Sequence, residues 1–182
     1  MKNKENSWMQ TYSGKQFYAF EPTVDSICIN DIAHALSNLC RYNGHTKKFY
    51  SVAEHSIHVS NLLAVNNDKE IMKIGLMHDA AEAYLTDVPT PIKIHLPIIK
   101  EMEDNIERVI FEKFGLQYPM TPQIKQADMV MLATEKEVLM GPEPAPWVLS
   151  THQPTTTIKI KCMKPNKAKL MFLEKFNELF LN

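Results

Sequence analysis

The stretch LMHDAAEAYLTDVPTP, residues 76–91, places His78 and Asp79 side by side within an apolar pattern of helical spacing. Glu82 follows four positions after His78, about one helical turn further along. Burying an unpaired imidazole or carboxylate costs free energy, so each of these groups needs a partner inside the fold. The fold therefore has to bring those partners from other parts of the chain.

Helical periodicity dominates the chain on both sides of this stretch. Apolar residues recur three and four positions apart in the segments 30–40, 51–64, 68–85, 96–116, 121–141 and 165–181. Residues typical of helix N-termini open four of these segments: Asn30, Ser51 with Glu54 as a capping box, Asp68, and Thr121 with Pro122. Gly115 is a predicted helix stop. These patterns predict an all-α bundle.

The 182 residues are enough for one well-cored domain, and we predict a single domain over 1–182 with its motif core at about 30–140. The proline-rich segment 141–147, GPEPAPW, predicts an extended loop after a helix. The segment from Pro165 onward is expected to pack back on the bundle. Strand-like patterns at 8–20 and 155–162 predict a small β-ribbon that pairs the N-terminal and C-terminal segments.

Composition limits the classes of partner. With 20 Lys and Arg against 21 Asp and Glu, the chain has no overall basic field, so a nucleic acid duplex is not expected as a partner. Three cysteines without a CxxC pair favour neither a disulfide framework nor a zinc ribbon. The sequence shows no signal peptide and no apolar run of membrane-spanning length. We expect a cytoplasmic protein away from membranes.

Four polar groups from three predicted helices point inward, and they are His55, His78, Asp79 and Asp128. Two imidazoles and two carboxylates suit one divalent ion, such as Mn²⁺, Co²⁺, Fe²⁺, Mg²⁺ or Zn²⁺. Such an ion makes hydroxide available near neutral pH, which favours hydrolysis, and Glu82 lies close enough to transfer a proton. Spacing alone leaves a second interpretation equally open, in which each group has its own structural hydrogen bonds.

The other histidines are interpreted as structural. An isolated inward histidine is more often a hydrogen-bonded core residue than a ligand. This interpretation applies to His34, His58, His95 and His152.

Three blocks carry a family resemblance: SVAEHSIHVS at 51–60, LMHDAAEAYLTDVPTPIK at 76–93 and IKQADMVMLATEKEV at 124–138. Their order, H…HD…D, resembles that of the HD-domain metal-dependent phosphohydrolases. The resemblance is strongest to the bacterial and phage proteins similar to 5′-deoxynucleotidases, and it extends from about Asn30 to Met140.

This resemblance implies an all-helical bundle with His55, His78, Asp79 and Asp128 as metal ligands. It further implies that Glu82 is the acid/base carboxylate and that Asp87 faces the sugar. Relatives with two metals carry extra histidines between the HD pair and the last aspartate. Only His95 stands there, so one metal ion is expected.

The same resemblance suggests residues that bind the substrate. Arg41 and Tyr42 resemble an arginine–aromatic pair that grips phosphate and lines the sugar pocket, with Tyr42 where some members have Trp. A planar guanidinium suits phosphate oxygens, although Arg41 could instead be a solvated charge at a helix end. Additional phosphate candidates are His45, Lys47, Lys48 and Lys125, the last of which could also cover apolar surface.

The expected activity is removal of the 5′-phosphate from (deoxy)nucleoside monophosphates by a metal-activated water. Two alternatives stay open at this point. One is hydrolysis of deoxynucleoside triphosphates or alarmone nucleotides, and the other is a catalytically silent nucleotide-binding regulatory module. A homodimer is expected from resemblance and from the frequency of two-fold assemblies.

Overall fold

The computed structural model describes residues 7–66, 68–147 and 152–181, and within them the fold is mostly helical with one small hairpin, as predicted. The hairpin strands are β1 (Met9–Gln10) and β2 (Gln16–Phe17). The α-helices of these ranges are α1 (Ile29–Asn38), α2 (Val52–Leu62), α3 (Lys69–Met77), α4 (Glu82–Leu85), α5 (Thr90–Lys93), α6 (Pro97–Phe114), α7 (Pro122–Leu139) and α8 (Pro165–Phe180). None of the helices described is both long enough and apolar enough to cross a membrane.

The main core lies between α1, α2, α3 and α8. The C-terminal helix α8 packs against the other three, as its apolar spacing predicted. Ala168 and Phe172 of α8 are fully buried in the same apolar cluster as Ile32 and Leu36 of α1. Burying a phenylalanine or leucine side chain contributes about 1.5–3 kcal/mol, so α8 stabilises the bundle that carries the site. The prediction of one domain over 1–182 includes residues outside the described ranges and stays a prediction.

The β-ribbon forms within the N-terminal segment alone. Strand β1 pairs antiparallel with β2, and Met9 is opposite Phe17. The Asp31 carboxylate of α1 accepts hydrogen bonds from the Ser13 backbone N–H at 2.6 Å and the Ser13 hydroxyl at 2.8 Å, which holds the hairpin on the helix. The expected pairing of this ribbon with residues 155–162 was wrong, because that segment forms no strand.

A buried carboxylate explains why the segment 155–162 forms no strand. Glu54 of α2 is completely buried and accepts N–H bonds from Lys161 at 2.7 Å, Cys162 at 3.1 Å and Met163 at 2.6 Å. Glu54 thus takes three amides that a ribbon would otherwise use. Ser51 caps α2 as predicted, accepting the Glu54 N–H at 3.2 Å, while the Glu54 side chain turns to the C-terminal segment.

Two helix predictions need correction. Helix α1 begins at Ile29, one residue before the expected cap Asn30. The continuous helix over 68–85 is wrong, because α3 ends at Met77 and the chain tightens into a turn before α4. In this turn the Ala80 N–H bonds to Met77 and the Glu82 N–H to Asp79, with a spacing of three residues instead of four.

Replacing Glu54 by alanine should lower the free energy of unfolding by about 3 kcal/mol or more, because it leaves three backbone amides without an acceptor and each lost buried partner costs about 1–3 kcal/mol. Glu54→Gln should cost less, since one acceptor oxygen remains. Urea unfolding curves measure both. The exposed control Glu70→Ala should shift stability by about 0.5 kcal/mol or less. Equal stability of Glu54→Ala and the control would contradict this role.

Candidate metal centre

Three separate elements deliver the predicted ligands to one place. His55 lies one turn after the Ser51 cap on the inner face of α2 and is completely buried. His78 and Asp79 lie in the turn between α3 and α4, and Asp128 lies in the second turn of α7. His55, His78 and Asp128 each offer an atom within 4.8 Å of the others, so these three could hold a metal ion.

The distances within this cluster fit the edges of a coordination shell. His55 Nε2 is 3.3 Å from His78 Nε2 and 3.3 Å from Asp128 Oδ1. Asp79 Oδ2 is 3.3 Å from His78 Nε2 and 3.5 Å from His55 Nε2. Ligand bonds of about 2.0–2.2 Å place neighbouring donor atoms roughly 3.0–3.6 Å apart. His55, His78 and Asp128 therefore have the mutual spacing that one ion requires, and Asp79 lies within 3.5 Å of both histidines beside them.

The outer ring nitrogens fix which atoms face the cluster. His78 Nδ1 is 2.8 Å from the Gly75 carbonyl oxygen, and His55 Nδ1 is 2.6 Å from a Glu135 carboxylate oxygen. A carbonyl oxygen and an ionised carboxylate can only accept, so both Nδ1 atoms carry hydrogen. A neutral ring then presents a lone pair at Nε2. Two such lone pairs and two carboxylates converge, and this donor set fits a divalent cation.

The charge balance of the cluster also favours a cation. Burial and Arg41 oppose a proton on His55, but Glu135 and Asp128 outweigh them and raise the pKa of His55 to about 9. Burial by itself raises the pKa of Asp79 and Asp128, yet the facing imidazoles outweigh it and hold both pKa values below their usual range. Without a metal the site therefore keeps a proton near neutral pH, and a binding ion has to displace it.

Glu135 is the site residue that the sequence interpretation missed. Its carboxylate is completely buried and accepts from His55 Nδ1, from the Tyr42 hydroxyl at 2.6 Å, from the Tyr50 hydroxyl at 2.9 Å and from Arg41 Nε at 3.1 Å. Burial opposes its ionisation, but Arg41 and His55 outweigh burial and lower the pKa of Glu135 to about 2. One ionised carboxylate thus holds His55 and Arg41 together.

A large cavity opens beside the cluster. Its volume is about 640 Å³, which lies within the range of small-molecule sites. The charged residues of its wall are Arg41, Asp79, Glu82, Asp87, Lys93, Lys125 and Asp128. Apolar and aromatic residues also line it, among them Tyr42, Val88, Leu132, Met140 and Trp147. Lys93 and Trp147 were not predicted as site residues.

Arg41 is buried and is not a solvated charge at a helix end. Its Nη1 lies 3.4 Å from Asp79 Oδ2, while Nε binds Glu135, and the guanidinium still lines the cavity. The next two residues, Tyr42 and Asn43, have left-handed φ values of 56° and 50°, a conformation that costs non-glycine residues about 1–2 kcal/mol. This turn directs Arg41 inward and puts the Tyr42 ring beside it.

Glu82 and Asp87 are carboxylates held in the cavity wall. Glu82 is buried, and its Oε2 has no hydrogen-bond partner among the described residues. Burial, together with the charges of Asp79 and Asp87, raises the pKa of Glu82 well above its usual range. Burial and Asp79 also raise the pKa of Asp87, against the influence of Arg41. This environment favours the protonated form of Glu82.

The weaker candidates lie at the edge of the site or outside it. Lys125 is largely exposed and its Nζ pairs with Asp128 Oδ2 at 2.7 Å, while the exposed His45 lines the cavity. Lys47 and Lys48 are exposed and do not line the cavity. The histidines interpreted as structural also lie outside its wall: His34, His58, His95 and His152.

Comparisons with known proteins agree with this architecture. The family model of the YfbR-like 5′-deoxynucleotidases matches residues 32–138, which include all four predicted ligands and Glu135. YfdR of Escherichia coli (strain K12) is 44% identical over 174 residues, covering 95% of this chain and 96% of that protein. A Rhodobacter capsulatus protein is 35% identical over 147 residues, covering 75% of each chain. The chain belongs to the YfbR-like 5′-deoxynucleotidase family, a family of nucleotide phosphohydrolases.

Proposed function

We propose that this protein is a metal-dependent phosphohydrolase that removes the 5′-phosphate from (deoxy)nucleoside monophosphates. The observation that carries the proposal is that two imidazole Nε2 atoms meet the carboxylates of Asp79 and Asp128, which line a cavity that also contains Arg41 and Glu82. The family description supports the nucleotide substrate class.

One divalent ion would be held by His55, His78, Asp79 and Asp128, with Mn²⁺, Co²⁺, Fe²⁺, Mg²⁺ and Zn²⁺ as the candidates. Such an ion supplies Lewis acidity, which lowers the pKa of water and polarises phosphoryl oxygens. The remaining steps fall to side chains of this chain.

Arg41 binds and orients the phosphate. Because Glu135 and Asp79 hold its Nε and Nη1, the guanidinium is fixed before the substrate arrives. A planar, preorganised guanidinium stabilises charge that develops on the phosphoryl oxygens during attack. Exposed Lys125 and His45 add positive charge or hydrogen bonds at the cavity rim.

Glu82 transfers the proton. Because burial and the neighbouring carboxylates raise the pKa of Glu82, its protonated form is favoured and can donate a proton to the leaving 5′-oxygen. Asp87 accepts a hydrogen bond from a sugar hydroxyl in this scheme, and the Tyr42 ring packs beside the sugar.

The cationic side chains around the cavity are already paired with carboxylates, which favours a monophosphate over a longer phosphate chain as the substrate. Lys93 pairs with Glu103 at 2.7 Å, Lys125 with Asp128 and Arg41 with Glu135. Triphosphate and alarmone substrates carry more negative charge and need a denser, less neutralised basic cluster. We therefore place these substrates second. A homodimer and a single domain over 1–182 are part of this proposal as expectations.

Activity with a panel of metals and nucleotides should show release of inorganic phosphate from deoxynucleoside monophosphates only when a divalent ion is present. Glu82→Gln should lower kcat about a hundredfold while it retains the metal, as for other general acids. The exposed control Glu112→Gln should behave as wild type.

Triphosphate or pyrophosphate as the product would favour the longer substrates. Tight nucleotide binding without metal-stimulated phosphate release would favour a silent regulatory module.

Glu135→Gln should weaken metal binding about 10- to 100-fold, because it removes the charge that orients His55, and such outer partners typically contribute that much. Equilibrium dialysis with elemental analysis measures the affinity. Glu137→Gln is a matched control, since Glu137 is exposed on the same helix. Unchanged affinity in a folded Glu135→Gln variant would show that this carboxylate has no part in the metal site.

A further inference from the structure

Trp147 lies beside Tyr42 in the wall of the cavity. The ring centroids of Tyr42 and Trp147 are 6.0 Å apart, with an angle of 52° between their planes. Leu132 and Met140 line the same cavity. Because the Tyr42 hydroxyl bonds Glu135, the partner of His55, Tyr42 belongs to the metal side of the cavity and Trp147 adds an aromatic surface next to it.

Trp147 is held in place by contacts that need no ligand. Its backbone N–H donates to Glu143 Oε1 at 2.8 Å, and Glu143 Oε2 pairs with Lys136 Nζ at 2.7 Å. Lys136 Nζ also lies 5.8 Å from the centroid of the Trp147 ring. These contacts fasten the end of segment 141–147 to helix α7.

Helix α7 carries both a metal candidate and a contact of Trp147. Asp128, Leu132 and Lys136 are spaced by four residues, so they follow one face of this helix. At 1.5 Å per residue, Asp128 in the metal cluster and Lys136 beside the Trp147 ring are about 12 Å apart along the axis. A nucleoside 5′-phosphate has the same order of parts, with the sugar between the phosphate and the base.

We propose that the Trp147 ring is the stacking surface for the nucleobase, and that Glu143 and Lys136 are positioning residues that hold Trp147. This inference rests on the proposed nucleotidase function and names the part of the substrate that Trp147 binds. Every base has a flat π face, so stacking supplies affinity without selecting one base. The surface therefore accepts purines and pyrimidines alike.

Kinetics with and without a base test this assignment. Trp147→Ala should raise KM for deoxynucleoside monophosphates about tenfold or more, the size expected for loss of one stacking ring, with little change in kcat. Hydrolysis of deoxyribose 5-phosphate, which has the same phosphate and sugar but no base, should not change. Trp147→Phe should restore most of the affinity. An unchanged nucleotide KM in Trp147→Ala, or an equal loss on both substrates, would overturn the proposal.

The positioning role has a separate test. Glu143→Ala should raise the nucleotide KM several-fold without affecting deoxyribose 5-phosphate, because Trp147 loses its hold on α7. Glu143→Gln keeps an acceptor for the Trp147 N–H and should retain most of the affinity. If Glu143→Ala binds nucleotide as wild type does, Glu143 does not position Trp147.

Fluorescence separates this inference from the proposed function. The chain has two tryptophans, and Trp8 is an exposed residue of the N-terminal segment. In Trp8→Phe, which should keep wild-type kinetics, Trp147 is the only indole and should be quenched by deoxynucleoside monophosphates but not by deoxyribose 5-phosphate. Quenching without any phosphate release would refute the proposed function and leave the stacking surface standing. Phosphate release without quenching would refute the stacking surface alone.

Discussion

The hydrogen bond from His55 Nδ1 to Glu135, 2.6 Å long and completely buried, is the contact on which the rest of the site depends. It fixes the ring so that Nε2 faces His78, Asp79 and Asp128. The corresponding bond from His78 Nδ1 ends at a backbone carbonyl, so it follows directly from the turn after α3. Together these two hydrogen bonds leave the Nε2 lone pairs of His55 and His78 directed at the same point.

The same carboxylate connects the metal cluster with the substrate end of the cavity. Glu135 binds Arg41 and the Tyr42 hydroxyl as well as His55, so the proposed phosphate and sugar contacts share one anchor with a metal ligand. Removing one partner from a buried ionic network leaves an uncompensated charge, which typically costs about 3–5 kcal/mol. The network therefore holds Arg41 and His55 in one fixed arrangement.

The sequence predicted most of the helices, and it singled out the residues that meet in the candidate metal cluster, because their signals are local. Ser51, Pro122 and Gly115 mark helix ends through capping and fixed backbone geometry, and His55 and Asp128 interrupt apolar faces. The break after Met77 had no such signal, since the apolar spacing continues through it. The alternating pattern of residues 155–162 predicted a strand. That prediction failed because the amides at the end of this segment bond the Glu54 carboxylate, which lies more than a hundred positions away in the sequence.

The missed residues share a physical reason as well. Glu135 stands between Thr134 and Lys136 in a run that has the composition of a solvent-exposed face, although it lies seven positions after Asp128 on the inner side of α7. Trp147 follows a proline-rich loop, where no periodicity reports the direction of a side chain. Both depend on contacts between distant residues, which spacing within one helix does not encode.

The central claim is that the Nε2 atoms of His55 and His78 share one cation with Asp79 and Asp128. Anomalous diffraction at the manganese edge, from crystals grown with Mn²⁺, tests it most directly. The account predicts one peak within about 2.0–2.3 Å of both Nε2 atoms and of a carboxylate oxygen of Asp128. Saturating Mn²⁺ that leaves no peak at this cluster would contradict the account.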